Sequence, residues 1–261
     1  MEKKTLLVAF STQKGGIGKS ALTVLMASYF HYVKGYQVGV IDCDYPQYSI
    51  YKMRERDKEI ANKIPYYKEK SFSQFKVLGK RNYPIERTPA PQAIEAAKKM
   101  IDEYVGGTPD IIFIDLPGTL NSEGIIQTLA SLDYIFSPIS ADKMVLQSTL
   151  EFASIINDQI ISTGRSHLRG LYLLWNMVDA REKSDLYKVY EEGIGELGLS
   201  VMKNFLPDTK RYRHEMTELI APIFRSTLFP VDKRLIRGSM LDLLADEIEE
   251  LINIKAYGKT E

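Results

Sequence analysis

The feature that most constrains how this chain can fold is a glycine-rich loop, QKGGIGKS, at residues 13–20. It lies between an apolar run, Leu6–Phe10, and an amphipathic stretch, Lys19–Lys34. Glycines let backbone N–H groups turn inward around phosphate oxygens, and the start of the following helix adds a positive field. In such loops the closing lysine reaches the β- and γ-phosphates and the next hydroxyl binds Mg²⁺. The sequence therefore predicts a phosphate site at a strand–loop–helix junction, with Lys19 and Ser20 as its polar side chains.

The rest of the chain alternates between short apolar runs and stretches with helical periodicity. Several runs are apolar at consecutive positions, which is typical of strands covered on both faces. This alternation predicts an α/β fold: an open, mostly parallel twisted sheet with helices on both faces, in one domain over residues 1–261. The predicted strands are Leu6–Phe10, Val38–Ile41, Ile111–Ile114, Tyr134–Phe136 and Leu171–Trp175, with a weaker one at Val201–Leu206; the predicted helices are Lys19–Lys34, Asp142–Ile161, Ser184–Leu197 and Leu235–Ile254.

Residues 54–88 have a different character. They are rich in Lys, Arg and Glu, with aromatic residues interleaved, and prolines such as Pro65 and Pro84 interrupt any long element. This pattern predicts a solvated helix and a loop, and it is compatible with an edge strand. No motif in the segment assigns it a role.

Composition excludes several classes of protein. The 261 residues carry 34 Lys and Arg against 34 Asp and Glu, so a protein that coats nucleic acid by bulk positive charge is excluded. The single cysteine, Cys43, can form neither an intramolecular disulfide nor a cysteine metal cage within one chain. No apolar run approaches the ~20 residues of a membrane span, and the first residues do not resemble a signal peptide. A cytoplasmic protein is therefore expected.

Acidic residues follow two of the predicted strands. Asp42 and Asp44 end the second strand, and Asp115 ends the apolar run at 111–114. Ligands bind at the carboxyl edge of open α/β sheets, so these acids are placed for chemistry. Asp42 and Asp44 are expected to point to opposite sides, which would let one face a γ-phosphate while the other is structural. The alternative is that the acids merely cap the ends of strands.

Residues 14–20, Lys-Gly-Gly-x-Gly-Lys-Ser, match the deviant Walker A motif, and the chain resembles the ParA/MinD group of P-loop ATPases along most of its length. The resemblance implies ATP and Mg²⁺ as cofactors. It implies a homodimer that sandwiches two nucleotides, in which Lys14 reaches the partner's phosphates as a charge supplied in trans. The alternative for Lys14 is a solvated surface lysine. The nucleotide-binding residues implied in this loop are Lys14, Gly15, Gly16, Ile17, Gly18, Lys19, Ser20 and Ala21.

The resemblance also implies roles for the three acids. Asp44 would position or activate the attacking water, Asp42 would belong to the outer shell of the metal, and Asp115 would hold Mg²⁺ through a water. Lys14, Lys19 and Asp44 are thus the catalytic residues, and Ser20, Asp42 and Asp115 the metal-site residues.

The chain departs from the family pattern at both acidic motifs. Tyr45 is inserted before Pro46-Gln47, which changes the turn after Asp44. Leu116 and Gly118 replace the usual residues after Asp115. The loop Gly118–Glu123 is expected to move with the γ-phosphate, as switch loops do.

The base site is predicted at the end of the strand Leu171–Trp175. Asn176 follows this strand, and in the ParA group an asparagine near this position hydrogen-bonds adenine. Pro207 and Asp208 match the place where that group closes over the base. The resemblance therefore favours ATP over GTP. The alternative is that Asn176 and Asp179 are simple turn formers.

A net basic stretch, residues 203–237, is the candidate DNA contact. The resemblance implies nonspecific DNA binding through additive, salt-sensitive phosphate contacts. An ordinary charged surface is the alternative, and Lys76, Lys80, Arg81 and Arg87 form a rival patch. The candidate residues in the stretch are Lys203, Arg211, Arg213, Arg225, Arg234 and Arg237.

The last predicted helix carries five acids, which anionic lipid would repel, so no membrane partner is expected. The leading functional hypothesis is a weak, partner-stimulated ATPase of the ParA branch that positions DNA or a conjugative element. Its activator would be a ParB-like or other protein, and it would associate with the nucleoid if DNA binds. The alternative is an ATP-dependent ligase of the dethiobiotin synthetase or cobyrinate amidase type. An iron–sulfur carrier needs at least two cysteines per chain and is disfavoured.

Overall fold

The computed structural model describes residues 4–79, 81–105, 107–118, 124–164, 166–179, 181 and 184–254. Seven parallel strands form one sheet in the order β3-β2-β4-β1-β5-β6-β7. Four of the central strands are buried at nearly every position, which explains their unbroken apolar sequence. The strands are β1 (Leu6–Phe10), β2 (Val38–Asp42), β3 (Ile85–Arg87), β4 (Ile111–Asp115), β5 (Tyr134–Ile139), β6 (Gly170–Trp175) and β7 (Ser200–Val201).

Helices cover both faces of the sheet, as the sequence predicts. Because side chains alternate along a strand, Val8 and Phe10 of β1 join one buried cluster and Ala9 joins the other. The helices are α1 (Lys19–Tyr29), α2 (Ser49–Lys63), α3 (Pro65–Leu78), α4 (Ala93–Glu103), α5 (Ile125–Ala130), α6 (Lys143–Ile156), α7 (Ser184–Glu196), α8 (Lys233–Ile236) and α9 (Leu241–Leu251). The first cluster includes residues of α1 and α9, and the second includes residues of α4, α5 and α6.

Two sequence predictions about the C-terminal half are wrong. The predicted helix Leu235–Ile254 is two helices, α8 and α9, because Gly238 and Met240 both adopt positive φ angles, 72° and 62°, between them. The predicted strand Val201–Leu206 is a strand only at Ser200–Val201.

Residues 54–88 contain two helices instead of the single predicted helix, followed by the predicted edge strand β3. Pro65 starts α3 shortly after α2 has ended, which a proline at the first helical position favours. Two buried charges fasten α2 to the loop at 226–229: Asp57 accepts hydrogen bonds from the Thr227 N–H and hydroxyl, at 2.8 and 3.0 Å, and Arg54 donates to the Thr227 carbonyl at 3.0 Å. The start of this segment is therefore anchored to the folded core.

Candidate functional site

The glycine-rich loop joins β1 to α1 at the carboxyl edge of the sheet. Gly16 and Gly18 have φ angles of 78° and 87°, which glycine adopts without strain. Gly18 also has little room for a side chain, because a Cβ there would lie 3.0 Å from Nδ2 of Asn176. Gly15 and Gly16 instead face open space. The loop is thus shaped by its glycines and is open on the side where phosphates would bind.

Lys19 begins α1, and its side chain is folded back over the loop. Its Nζ donates a hydrogen bond of 2.8 Å to the carbonyl oxygen of Lys14. Burial lowers the pKa of Lys19, while Asp115 and Asp44 raise it. The ammonium is therefore held between the loop backbone and the strand-end acids, and its contact with phosphates stays a prediction.

Gly118 is a site residue whose role sequence reasoning missed. Gly118 lies directly against the phosphate loop. A Cβ on it would lie 2.9 Å from Nζ of Lys19 and 3.3 Å from the Lys14 carbonyl. Its place after Leu116-Pro117 at a strand end was the available signal. Residues 119–123 of the predicted switch loop lie outside the described residues.

Asp115 is fully buried at the end of β4. In the described part of the chain, neither of its carboxylate oxygens has a hydrogen-bond partner. The pKa of Asp115 is raised to about 8, chiefly by burial; the Ser20 hydroxyl and the Lys19 ammonium lower it in part, and Asp42 and Asp44 add to the rise. A buried carboxylate without donors, beside a hydroxyl, is the donor set that a hard cation such as Mg²⁺ fits.

Asp42 lies directly opposite Asp115 in the β2–β4 register, and it is equally buried. Its Oδ2 accepts hydrogen bonds from the N–H groups of Ile50 (3.0 Å) and Tyr51 (2.9 Å), at the start of α2. Its Oδ1 accepts a longer bond of 3.3 Å from the N–H of Asp44. These bonds give Asp42 a structural role as a cap of α2, and its place in the outer shell of the metal stays a prediction.

Asp44 is half-buried and lies close enough to Lys19 for the two charges to interact. Burial raises the pKa of Asp44, and the Lys19 ammonium lowers it in part, which places the carboxylate near the phosphate loop. Asp42 instead contacts α2. Strict alternation would place residues 42 and 44 on one face, but β2 ends at Asp42 and Asp44 lies in the turn that follows, so the two acids have different surroundings because the strand has ended.

The predicted base site is assembled from two segments. Asn176 is buried, and its Nδ2 donates a 2.8 Å hydrogen bond to the carbonyl of Ile17 in the phosphate loop. Val178 pairs with Pro207 in an isolated parallel bridge, and the Asp208 N–H donates to the Val178 carbonyl at 2.8 Å. The segments therefore lie side by side next to the loop, and Asn176 itself braces the loop.

Two of the candidate DNA-binding residues are partly buried and have internal partners. Nη1 of Arg211 donates to the carbonyl oxygens of Leu235 (3.0 Å) and Arg237 (2.6 Å), which ties the start of the basic stretch to its end. Nε of Arg225 donates to Glu215 at 2.9 Å. These contacts give both arginines structural roles that composition did not reveal.

The other four candidates are more available. Arg234 is exposed and pairs with Asp232 at 2.7 Å, a contact that solvent screens. Lys203, Arg213 and Arg237 are exposed, and no side-chain ion pair involves them within the described ranges. Of the rival patch, Lys80 lies outside the described residues.

The strand–loop–helix phosphate loop, its lysine and a buried strand-end acid on the neighbouring strand define a P-loop nucleoside triphosphatase. The chain belongs to the ParA family: the ParA family model, described as NUBPL iron-transfer P-loop NTPase, matches residues 3–154. Among curated proteins, a sequence comparison finds no match.

Solved structures share the fold at low sequence identity. MinD in the MinC:MinD complex of Aquifex aeolicus has a TM-score of 0.59 at 13% identity, over 98% of this chain and 99% of that one. pNOB8 ParA bound to nonspecific DNA has a TM-score of 0.58 at 15% identity, over 96% and 99%. A putative plasmid partition protein of Borrelia burgdorferi bound to AMPPNP has a TM-score of 0.58 at 17% identity, over 94% and 100%.

The iron-transfer part of the family description has no counterpart in the cysteine content of this chain. Cys43 is its single cysteine and is buried at the end of β2, next to Asp42, where burial raises the pKa of the thiol well above its usual value. Among the described residues, no helix is long and apolar enough to span a membrane.

Proposed function

We propose that this protein is an ATP-hydrolysing switch of the ParA type, which dimerises on ATP, binds DNA nonspecifically and positions a DNA cargo. The observation that carries the proposal is the buried Asp115 carboxylate, whose oxygens have no hydrogen-bond partner in the described residues and whose charge Lys19 and Ser20 offset only in part. A fold keeps a buried acid without donors at a cost in stability, so a ligand that supplies positive charge there is expected.

Mg²⁺ fits this place, with Ser20 and Asp115 holding it, and it would neutralise charge on the phosphates during transfer. The chain's own groups do the rest. Lys19 exchanges its bond to the Lys14 carbonyl for phosphate oxygens, and the loop amides bind the β-phosphate. Asp44, on the phosphate side of its turn, orients the attacking water. Asn176 holds the loop against the base segments.

A second subunit supplies what one subunit lacks. Lys14 is half-exposed, and its side chain has no ion-pair partner in the part of the chain that the structure describes. In the proposed dimer this ammonium reaches the partner's phosphates, so that hydrolysis depends on association. Slow turnover in the isolated protein and stimulation by an activating protein are the consequences, because the catalysis is mostly positioning and charge.

The DNA contact is proposed for the exposed members of the basic stretch, Lys203, Arg213, Arg234 and Arg237. The structural neighbour pNOB8 ParA is bound to nonspecific DNA, which supports the same class of partner for this chain. Each such contact releases counterions, so binding should weaken steeply as salt rises.

The deciding experiment measures binding to a nonspecific DNA duplex, with and without ATP and Mg²⁺, for wild type and Lys19→Ala. Binding that needs both ATP and Lys19 supports the switch. Lys58→Ala, which removes an exposed lysine outside the phosphate site, should behave as wild type. ATP turnover without DNA affinity at low salt would instead favour the ligase alternative, and absence of ATP binding would overturn the proposal.

Two variants separate the steps of the switch. Lys14→Ala should bind ATP as a monomer but lose dimerisation and turnover, measured by light scattering and phosphate release; wild-type turnover would contradict the role in trans. Asp44→Ala should accumulate the ATP-bound dimer, and undiminished hydrolysis would show that another acid orients the water.

A further inference from the structure

The turn that carries Asp44 is built from an inserted residue and a strained one. The Tyr48 N–H donates to the Asp44 carbonyl at 2.8 Å, which closes the turn between β2 and α2. Tyr48 itself has a φ of 44°, in the left-handed region that a bulky residue rarely occupies. A turn of this kind persists only when contacts outside it hold the strained residue in place.

Those contacts come from the edge strand. Arg87 lies opposite Asp42 in the β2–β3 register, so its side chain leaves the sheet at the level of the turn. Its guanidinium lies over the rings of Tyr51, 4.7 Å from the centroid, and Tyr48, at 5.7 Å. The inserted Tyr45 meets the Tyr48 ring edge-on, with centroids 5.8 Å apart and an interplanar angle of 74°. Four side chains thus form one stack, Tyr45–Tyr48–Arg87–Tyr51.

Arg87 has no competing partner in the described residues, since no carboxylate lies within ion-pair distance of its guanidinium there. A cation over two aromatic faces is attracted by both rings, and a planar guanidinium stacks better than an ammonium. The stack is also fastened at its base, because the Thr88 N–H donates to the Asp42 carbonyl at 3.1 Å. The pairing of β2 with β3 therefore fixes the position of the stack relative to the turn.

We infer that Arg87 is a positioning residue for hydrolysis: through the rings of Tyr48 and Tyr51 it fixes the turn that aims the Asp44 carboxylate at the phosphate site. The inference rests on the proposed function, in which Asp44 orients the water. It assigns a role to the end of the polar segment 54–88 and to the inserted Tyr45, which packs against the outer side of the stack.

The test compares Arg87→Ala and Arg87→Lys in ATP hydrolysis at saturating ATP, with KM measured alongside. Arg87→Ala should lower kcat about tenfold, because a small misplacement of a catalytic group can cost up to about 100-fold, and should leave KM within about twofold. Arg87→Lys keeps a cation over the rings and should recover most of the loss. A structural role alone would change the melting temperature without this split between kcat and KM.

Lys70→Ala is the matched control. Lys70 lies over the Phe229 ring at 4.7 Å, the same separation as Arg87 over Tyr51, but it is on α3 and outside the turn. Its loss should alter stability and leave kcat unchanged. A double variant, Arg87→Ala with Tyr48→Gly, should lose no more activity than Arg87→Ala alone, because Tyr48→Gly removes the ring through which Arg87 acts and leaves a residue that adopts the same φ angle without strain.

The outcomes distinguish this inference from the proposed function. Wild-type kcat in Arg87→Ala, while Lys19→Ala abolishes hydrolysis, would overturn the role of Arg87 and leave the proposed function standing. A fall in kcat that Arg87→Lys does not recover, accompanied by an equal fall in Lys70→Ala, would also overturn it. Absence of hydrolysis in the wild type would instead overturn the proposed function.

Discussion

The ends of β2 and β4 are neighbouring regions that each carry a buried aspartate, and the two aspartates differ in the hydrogen-bond donors they receive. Asp42 and Asp115 face each other across the strand register, and both are fully buried. Asp42 receives three backbone N–H groups, while Asp115 receives none in the described part of the chain. The difference arises from the segment after each strand: α2 begins near Asp42, whereas Asp115 is succeeded by Leu116-Pro117-Gly118, which do not start a helix.

This comparison shows how one sheet edge provides both a structural and a functional carboxylate. Burial raises the pKa of Asp42, and the N–H groups at the start of α2 lower it in part, so these donors offset much of the cost of burying the acid. Asp115 is left for a ligand, and until one binds, its ionised form costs stability. An aspartate thus has a structural role at the end of β2 and is available to bind a ligand at the end of β4.

The sharpest way to break the comparison is Asp115→Asn. This variant keeps the shape of the side chain and removes its charge. We expect ATP hydrolysis to fall roughly 100-fold or more, because metal-ion stabilisation of transferred phosphate is worth several kcal/mol. Phosphate release at saturating Mg²⁺ measures it. Near-normal hydrolysis would show that Asp115 is as structural as Asp42.

Asp42→Ala should act on stability instead. It leaves the buried N–H groups of Ile50 and Tyr51 without acceptors and removes the cap of α2. We expect the free energy of unfolding to fall by about 2–4 kcal/mol, from the lost cap and the unsatisfied donors together. Urea denaturation measures the change, and a loss under about 1 kcal/mol would contradict the structural role of Asp42.

The pH dependence of stability sharpens the comparison further. The pKa of Asp115 in the folded protein is about 8, against an ordinary value of 3.8, so the folded state holds this proton more tightly than the unfolded state. The protonated Asp115 therefore contributes fully to the free energy of unfolding below about pH 4, and this contribution is lost as the pH rises to about 8. The loss is at most about 1.4 kcal/mol per pH unit. Asp115→Asn should remove this slope.

Thermal denaturation between mildly acidic and mildly alkaline pH, without nucleotide or Mg²⁺, measures this slope. The melting temperature of the wild type should lie closest to that of Asp115→Asn at the acidic end and fall well below it at the alkaline end. Parallel profiles for the two proteins would show that the proton on Asp115 is held no more tightly in the folded state than in the unfolded state.

The smallest effect is expected at a third acid that caps a helix. Asp142 accepts hydrogen bonds from the N–H groups of Met144 (2.9 Å) and Val145 (3.0 Å) at the start of α6, like Asp42, but it is exposed. Asp142→Ala should cost only about 1 kcal/mol in urea denaturation, since water replaces the lost acceptor. A loss equal to that of Asp42→Ala would show that burial does not set the scale.

Local features of this fold are readable from the sequence. The strand–loop–helix junction at the glycine-rich loop and the strand Leu6–Phe10 are confirmed, because glycine conformations and apolar runs act over a few residues. The prediction of a single helix over Leu235–Ile254 is wrong because the conformations of two residues interrupt it. Its apolar periodicity continues across Gly238 and Met240, where the backbone changes direction.

The features that the sequence does not predict depend on contacts between residues far apart in the chain. Arg211 binds the carbonyls of Leu235 and Arg237, more than 20 residues away, so its structural role lies outside any local pattern. Arg87 reaches Tyr48 and Tyr51 only because β3 pairs with β2. A sequence window contains neither of these contacts.

The sequence by itself determined the position of the phosphate loop, its lysine and the strand-end acids, because those depend on neighbouring residues. Only the tertiary structure decided which acid is satisfied and which is left without donors. The physical reason is that donors for a buried carboxylate come from whatever element the fold brings alongside it, and for Asp42 that element is the first turn of α2.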